Sequence, residues 1–447
     1  MGDGGFASGR APTVPRLLQR EGNSCIPARG EEDLVNVLYI CADWGIPIRG
    51  FKGASVHVRE FVNALTRCGN EVLLLCTDRG EGNPDPHATV IEIKPQLGQE
   101  RREKEAARLR LAFDPQDAAV CHELDKLSYD TEFAARAVAE LSERQFRPDV
   151  VYERYSLFHA SGGRIARSFE VPYVLEVNAP LIEEQERHRV LRLKALAQEM
   201  QTRCFREADS FITVSEPLKQ YLQAQGIAAH RVSCLPNGVD TGRFHPDIDP
   251  EPIRTRHSLG KQPVVGFLGS LKPWHGMDFL LDAMVQLRRR QRDQRLLIVG
   301  DGPGLEHIRE RVRSSALEEN VLLAGKVRHE EMPAYLAAMD LTVAPYTAEQ
   351  PFYFSPLKVF ESLAAGRPVV APRLGQLNEL IDHGVTGLLY DAGDLDALVE
   401  SMHSLLSDPR RRIVMGANAR RHAVQSLSWD SVVARAVKIM SQPPLAA

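Results

Sequence analysis

Lys358 and Glu361 stand three residues apart in the segment Tyr353-Phe-Ser-Pro-Leu-Lys-Val-Phe-Glu361-Ser-Leu-Ala-Ala-Gly366. A helix there places the cation and the carboxylate on one face, about 4.5 Å apart along the axis. Such a pair suits a nucleoside diphosphate, with the ammonium for a phosphate and the carboxylate for a sugar diol. Ser355 is a natural N-cap, and Pro356 fits the first helical position, where its missing N–H costs nothing. Leu357, Phe360, Leu363 and Ala364 form an apolar stripe, and Gly366 stops the helix before a strand at Pro368–Ala371. The first turn thus offers free N–H groups and a partial positive charge, to which Lys358 adds a full one. Taken by itself, the segment fits an ordinary amphipathic helix with a solvated Lys and Glu equally well.

Three glycine-bearing turns can join that helix at one cleft. In Gly50-Phe-Lys-Gly53-Ala-Ser55, Gly53 and Ala54 leave a bare backbone at a helix N-terminus, open to phosphate or sugar. The turn lacks G-x-G-x-x-G, and no acidic residue ends the next strand, so a dinucleotide oxidoreductase is disfavoured. The other two turns are Gly269-Ser-Leu-Lys-Pro-Trp-His275-Gly276 and Gly300-Asp-Gly-Pro-Gly304. Each follows a strand and opens a helix; one alone says little, and three in register say more. No G-x-S-x-G, H-E-x-x-H or Gly-Lys-Ser/Thr phosphate loop is present. Asp247-Ile-Asp249 and Asp394-Leu-Asp396 have the D-x-D form of a metal–diphosphate ligand, but one lies in a linker and the other at a helix start. Solvated or capping carboxylates are the simpler reading, and no metal site is expected.

The elements that must carry these turns alternate strand and helix. Leu34–Cys41 is an apolar run of buried-strand length, followed by a helix Val56–Arg67 capped by Ser55 and a strand Glu71–Cys76. This βαβ unit implies a parallel sheet. Asp149–Tyr152, Tyr173–Val177 and Ser210–Val214 read as further strands, Glu183–Glu207 as one long helix, and the charged residues 98–146 as helices over one sheet edge. Residues 246–262, rich in Pro and Asp, read as a linker. Alternation then restarts with strands at Val264–Leu268, Leu296–Val299, Val321–Leu323, Leu341–Ala344 and Pro368–Ala371. The expected class is α/β with two doubly wound domains, 34–245 and 263–425, a helix in 426–447 returning to the first, and a site between their carboxyl strand ends.

A chain of 447 residues is long enough for two such cores. Its net charge of −4 gives no global attraction to nucleic acid. The runs Arg101-Arg102, Arg288-Arg289-Arg290 and Arg410-Arg411-Arg412 read as solvated faces, with a weak peripheral membrane contact as the alternative. Seven cysteines, at positions 25, 41, 68, 76, 121, 204 and 234, form no C-x-x-C, which implies a reducing, cytoplasmic setting. No apolar run approaches a membrane span. Residues 1–33 read as a disordered tail without a signal-peptide core, an organelle transit peptide being the alternative.

Together, Pro236-Asn-Gly-Val-Asp240, the Gly269–Gly276 loop, Val299-Gly-Asp-Gly-Pro303 and Phe354–Ala371 resemble glycosyltransferase family 4 in order and spacing over roughly residues 34–440. The resemblance implies a GT-B fold and transfer of a sugar from a nucleoside-diphosphate donor, with retention of configuration and no metal or other cofactor. It places Glu361 on the donor ribose, the turn Phe354, Ser355, Pro356, Leu357 and Lys358 on the diphosphate and sugar, and Gly53 with Ala54 near the diphosphate. Gly269, Ser270, Lys272, Gly300, Asp301 and Gly302 complete the donor set, and Lys52 and Asn178 are the candidate contacts to acceptor or sugar. The acceptor is a small molecule, a glycan or a lipid-linked sugar.

Three positions depart from that family. The Glu usual eight positions before the ribose Glu is here Tyr353. The usual Arg and Lys of the loop after the second domain's first strand fall on Ser270 and His275, and a usual His falls on Arg154. The expectation is that positive charge has moved: Lys358, Lys272, Arg154 and a protonated His275 replace the missing pair. Two rival classes share the fold, a sugar-nucleotide epimerase and a catalytically silent nucleotide-sugar-binding subunit.

Overall fold

The computed structural model describes residues 34–290, 293–348 and 352–442; the expected tail 1–33, with Cys25, lies outside them. The first half runs β1 (Asn36–Cys41), α1 (Gly53–Arg67), β2 (Glu71–Cys76), β3 (Thr89–Glu92), α2 (Gln99–Arg108), α3 (Ala118–Glu143), β4 (Val150–Arg154), α4 (Ser161–Phe169), β5 (Tyr173–Val177), α5 (Leu181–His188), α6 (Lys194–Glu207), β6 (Ser210–Thr213), α7 (Glu216–Ala224) and β7 (Val232–Cys234). The second runs α8 (Glu251–Arg256), β8 (Val264–Leu268), α9 (Met277–Arg290), β9 (Arg295–Val299), α10 (Leu305–Ser314), β10 (Val321–Gly325), α11 (Met332–Ala337), β11 (Leu341–Val343), α12 (Leu357–Ala364), β12 (Val369–Pro372), α13 (Leu377–Leu380), β13 (Gly387–Tyr390), α14 (Leu395–Ser407), α15 (Pro409–His422) and α16 (Trp429–Met440).

Two parallel sheets result, ordered β3-β2-β1-β4-β5-β6-β7 and β10-β9-β8-β11-β12-β13. The apolar runs of β1 and β8 sit at their centres because helices cover both faces and no strand position is left for water. Strand order reverses between β1 and β4 and between β8 and β11, so the loops leaving these four strands line crevices at the carboxyl ends.

Several elements differ from the sequence reading for identifiable reasons. The helix expected over Glu183–Glu207 is two, α5 and α6. The buried carboxylate of Glu123 takes the backbone N–H groups of Arg192 and Leu193 at 2.9 and 2.6 Å, which holds the chain open between them. The segment 98–146 covers a face rather than an edge: Tyr129, Phe133, Ala137 and Leu141 of α3 pack on Leu38, Ile40, Leu73 and Leu75. The stretch expected as an aperiodic linker contains α8, with Ile253 and Leu259 buried in the second domain's core. Ser55 does not cap α1, which starts at Gly53 with Lys52 in the cap position and no side-chain bond.

The last helix closes the first domain. Trp429, Val432, Val433, Ala436 and Val437 of α16 share one core with Val37, Tyr39, Phe61 and Val62. Trp429 stands edge-on to His57 at 5.3 Å and to Phe61 at 6.4 Å, so the chain end helps to fix the helix that carries Gly53. Trp429→Ala is expected to cost about 3–5 kcal/mol, as for large aromatic truncations in cores. A fall in thermal unfolding midpoint measures it; an unchanged midpoint would mean that α16 is anchored elsewhere.

Candidate active site

The turn that opens α12 is pinned to the first domain. The hydroxyl of Ser215 donates to the Tyr353 carbonyl, and the Tyr353 hydroxyl donates to Glu184. The Asn237 N–H donates to Ser355 Oγ at 3.2 Å, and its side-chain amide donates to the Ser355 carbonyl at 3.1 Å. Ser355 therefore does not cap the helix as the sequence suggests: its hydroxyl serves a buried backbone donor from the other domain, and Pro356 takes the capping position without a side-chain bond. Across the cleft, a Cβ built on Gly53 would lie 3.6 Å from Leu357 Cδ1. Two helix N-termini without side-chain caps, one from each domain, thus open on the same place. Their partial charges both favour an anion there.

Lys358 points from this turn into the second domain. Its Nζ is buried without a hydrogen bond, 4.5 Å from the centroid of the Phe267 ring and 4.6 Å from that of Tyr346. Burial pushes its pKa down to about 7. Gly269 makes room for it: a Cβ there would stand 3.1 Å from Nζ. The two glycine turns of the second domain zip together, Leu271 N–H to the Asp301 carbonyl at 3.0 Å and Gly304 N–H to the Leu271 carbonyl at 2.9 Å. A Cβ on Gly300 would overlap the Gly269 carbonyl oxygen, so both turns keep bare backbone at the rim. Ser270, Lys272 and Asp301 are exposed there. Asp301 accepts its neighbour Gly302's N–H at 2.7 Å, and the Lys272 ammonium lies 4.7 Å from the Trp274 ring centroid.

Two of the expected replacement charges do not serve that purpose. His275 is buried and donates from Nδ1 to the Ser270 carbonyl, and its pKa is pushed down to about 3 by burial first and by the Lys358 charge second. It is a neutral ring with Nε2 as acceptor, which corrects the expectation of a cation. Arg154 is buried with Nη1 3.4 Å from Glu176 Oε2. Burial works against its charge, and Glu176 with Tyr39 outweighs that and holds its pKa up. It is engaged in an ion pair rather than free for a phosphate.

Glu176 organises the first domain's side of the cleft. Burial opposes its ionisation, but His57, Arg154 and the Asn178 amide overcome that and hold its pKa at about 2. His57 Nε2 lies 2.7 Å from Glu176 Oε1, and His57 Nδ1 lies 2.6 Å from Asn237 Oδ1. The ring thus stands between a carboxylate oxygen and an amide oxygen, one on each nitrogen's side. A chain Arg154–Glu176–His57–Asn237–Ser355 therefore crosses from one domain to the other. Asn178 sits beside Glu176, and Lys52 is exposed at the head of α1. His57 and Asn237 were not among the sequence candidates; the signal available was the position of Asn237 inside Pro236-Asn-Gly-Val-Asp240. Phe354 packs against Phe352 and Tyr346, at 4.3 and 5.5 Å between centroids, and holds the turn from within.

Glu361 faces away from Lys358, toward a cavity of about 20 Å³ whose lining includes Glu60, Asp240, Arg243, His329 and Leu357. Its Oε1 lies 3.1 Å from His329 Nε2. Among the described residues, no group of three or more His, Cys, Asp or Glu is arranged to hold a metal ion, and no helix is long and apolar enough to cross a membrane.

Comparison with known proteins agrees with this architecture. Residues 52–238 match the family model described as glycosyl transferase 4-like domain, and residues 262–408 match that of glycosyl transferases group 1. A GDP-mannose-dependent alpha-(1-6)-phosphatidylinositol monomannoside mannosyltransferase of Mycolicibacterium smegmatis is 38% identical over 211 residues, 46% of this chain and 55% of that protein. The glycogen synthase of Mycobacterium tuberculosis is 24% identical over 410 residues, 90% of this chain and 93% of that protein. The matched region thus spans about half the length of the mannosyltransferase. Among solved structures, Anabaena HepE in complex with UDP has a TM-score of 0.66 at 20% identity, covering 91% of this chain and 100% of that one. Sucrose-phosphate synthase of Thermosynechococcus elongatus has a TM-score of 0.65 at 20% identity, covering 90% and 98%. The fold is GT-B, and each half of the chain matches a glycosyltransferase domain.

The buried ammonium has a measurable consequence for stability. An unfolded lysine holds its proton to about pH 10.4, whereas folded Lys358 releases it at about 7. Between these values the unfolded chain binds more protons, so stability rises with pH across that window. Lys358→Met removes the unpaired group and is expected to stabilise the protein by about 1–3 kcal/mol at pH 7, with less effect above pH 10. Thermal unfolding of both proteins at several pH values checks this; a large drop in midpoint on substitution would contradict it.

Proposed function

We propose that this protein is a metal-independent, retaining glycosyltransferase that moves a sugar from a nucleoside diphosphate to an acceptor hydroxyl. The observation that carries the reading is the Lys358 ammonium, buried without an acceptor against the glycine turn at 269, in the first turn of the helix whose start Gly53 of α1 approaches. That arrangement supplies fixed positive potential at one point, and the largest anion in such a reaction is the diphosphate. The bond from the anomeric carbon to the diphosphate breaks, and one to the acceptor oxygen forms on the same face. The acceptor proton leaves on a diphosphate oxygen. Charge grows on that phosphate, where Lys358 and the two uncapped helix starts stabilise it without reorganising. By similarity to the mannosyltransferase, the acceptor is a glycolipid or glycan hydroxyl, met at the first domain's side of the cleft.

A second reading, a subunit that binds the donor without turnover, draws on Tyr353. Where the resembling family has a carboxylate, the Tyr353 hydroxyl is spent on Glu184. Thermal-shift screening with GDP, UDP, ADP and their sugars separates the readings when followed by an acceptor panel. Stabilisation by a nucleotide sugar with acceptor-dependent release of nucleoside diphosphate supports the transferase. Stabilisation without any release supports the silent subunit.

Lys358→Ala is expected to lower kcat about 10²–10³-fold, the usual loss for one preorganised donor to a developing anion. A diphosphate beside Lys358 favours its charged form, so binding takes up a proton wherever the free group is neutral. Donor affinity should therefore weaken as pH rises above about 7. Calorimetry at pH 8 in buffers of different ionisation enthalpy reads the uptake directly. Binding with no proton exchange, or a fully active Lys358→Ala enzyme, would refute the assignment.

A further inference from the structure

We infer that His329 and Arg243 are positioning residues for Glu361, and that they tie its grip on the donor ribose to contact between the two domains. The inference rests on the donor-binding reading given above and on the ribose contact that the family resemblance implies for Glu361. Arg243 Nη1 lies 3.1 Å from His329 Nδ1, and His329 Nε2 lies 3.1 Å from Glu361 Oε1. A guanidinium only donates, so Nδ1 must present its lone pair and the ring proton sits on Nε2. The direction of the relay is thereby fixed: Arg243 donates to His329, and His329 donates to the carboxylate.

The relay spans the molecule. Arg243 lies in the connection after β7, next to Phe244 of the second domain's core, and its Nη2 reaches to 3.5 Å from Glu60 Oε1 on α1 of the first domain. Its Nε lies 3.7 Å from Asp240 Oδ2, within the same connection. His329 belongs to the loop after β10, and Glu361 to α12. Neither His329 nor Arg243 neighbours Glu361 in sequence; Phe244, beside Arg243, packs on His329 at 5.7 Å, and it is the Arg243–Glu60 contact that joins this relay to the first domain.

The carboxylate is left half used. Oε1 is held by His329, Oε2 has no protein hydrogen bond among the described residues, and Glu361 lines the small cavity. A diol needs both oxygens in one plane at a fixed angle. A glutamate free to rotate loses side-chain entropy on binding, and one already clamped by His329 does not. The clamp therefore sharpens recognition of the ribose hydroxyls rather than adding a contact to the nucleotide.

The test compares ribonucleotide and 2′-deoxyribonucleotide, using whichever of GDP or UDP the wild-type protein binds, by calorimetry on the full chain. The wild type should prefer the ribo form about tenfold, the loss expected for one hydrogen bond to a charged group. In His329→Ala that preference should collapse toward unity, donor KM should rise about tenfold, and kcat at saturating donor should stay within about twofold. His329→Gln keeps an N–H for Glu361 and an acceptor for Arg243, and should restore the preference. Arg243→Met should behave like His329→Ala, and Glu60→Gln should show a smaller loss in the same direction. A His329→Ala protein that binds the nucleotide and keeps full ribo preference overturns the inference while the donor reading stands. A folded wild type that binds no nucleoside diphosphate overturns both.

Discussion

An ammonium shut between two aromatic rings with no acceptor is a costly thing to fold, and the second domain is built around one. The faces of Phe267 and Tyr346 return part of the desolvation cost through their negative quadrupoles. They do not supply a hydrogen bond, and the group's pKa falls accordingly. The glycine at 269, the zipped turns at 269–276 and 300–304 and the neutral His275 follow from that choice. A side chain at 269 would crowd the ammonium, and a second cation at 275 would repel it. The ammonium is left without an acceptor, and in the function we propose the donor's diphosphate supplies it.

The first domain answers with a buried network rather than with free charge. Glu176 is compensated by His57 and Arg154, so the Arg154 charge expected for a ligand is consumed there, while His57 fixes the loop at Asn237. That loop in turn holds Ser355, and Ser355 sets where α12 begins. Positive potential in the cleft thus comes from backbone dipoles and Lys358, with exposed Lys52 and Lys272 at the rim, and the buried residues supply geometry. Removing one member of such a network strands the others in low dielectric, so its parts act as a unit.

How much of this a reader of the sequence could see depended on the range over which each feature is determined. The central strands β1 and β8 declare themselves, because burial on both faces leaves an uninterrupted apolar run. The edge strands β3 and β7 and the late strand β13 are three or four residues long and take their conformation from a neighbour's backbone, so no local pattern marked them. The break between α5 and α6 is written at Glu123, about seventy positions earlier. In the site, the shared face expected of Lys358 and Glu361 is not met: the ammonium turns to Phe267 and Tyr346 and the carboxylate to His329, because the packing around α12 rather than the three-residue spacing sets each side chain's direction. His275 was misread as a cation because its protonation depends on burial that no spacing reveals. His329 was missed because its partner Arg243 is 86 positions away and nothing around either residue signals the pairing.

Tyr353 shows how a departure from the resembling family's pattern can be absorbed by the architecture around it. A carboxylate there would face Glu184 and lie near the other acids of α5, whereas a phenol donates to Glu184 and holds the cleft together. Burial and that carboxylate both raise its pKa, so the hydroxyl remains a neutral donor across the working range. The turn thereby exchanges a ligand contact for a latch between domains. With the latch in place, the backbone N–H groups of Ser355 and Leu357 are held on either side of Pro356. The retaining transfer we propose, in which the departing phosphate itself accepts the proton, tolerates a phenol here because it requires a fixed positive field rather than a protein carboxylate at the anomeric carbon.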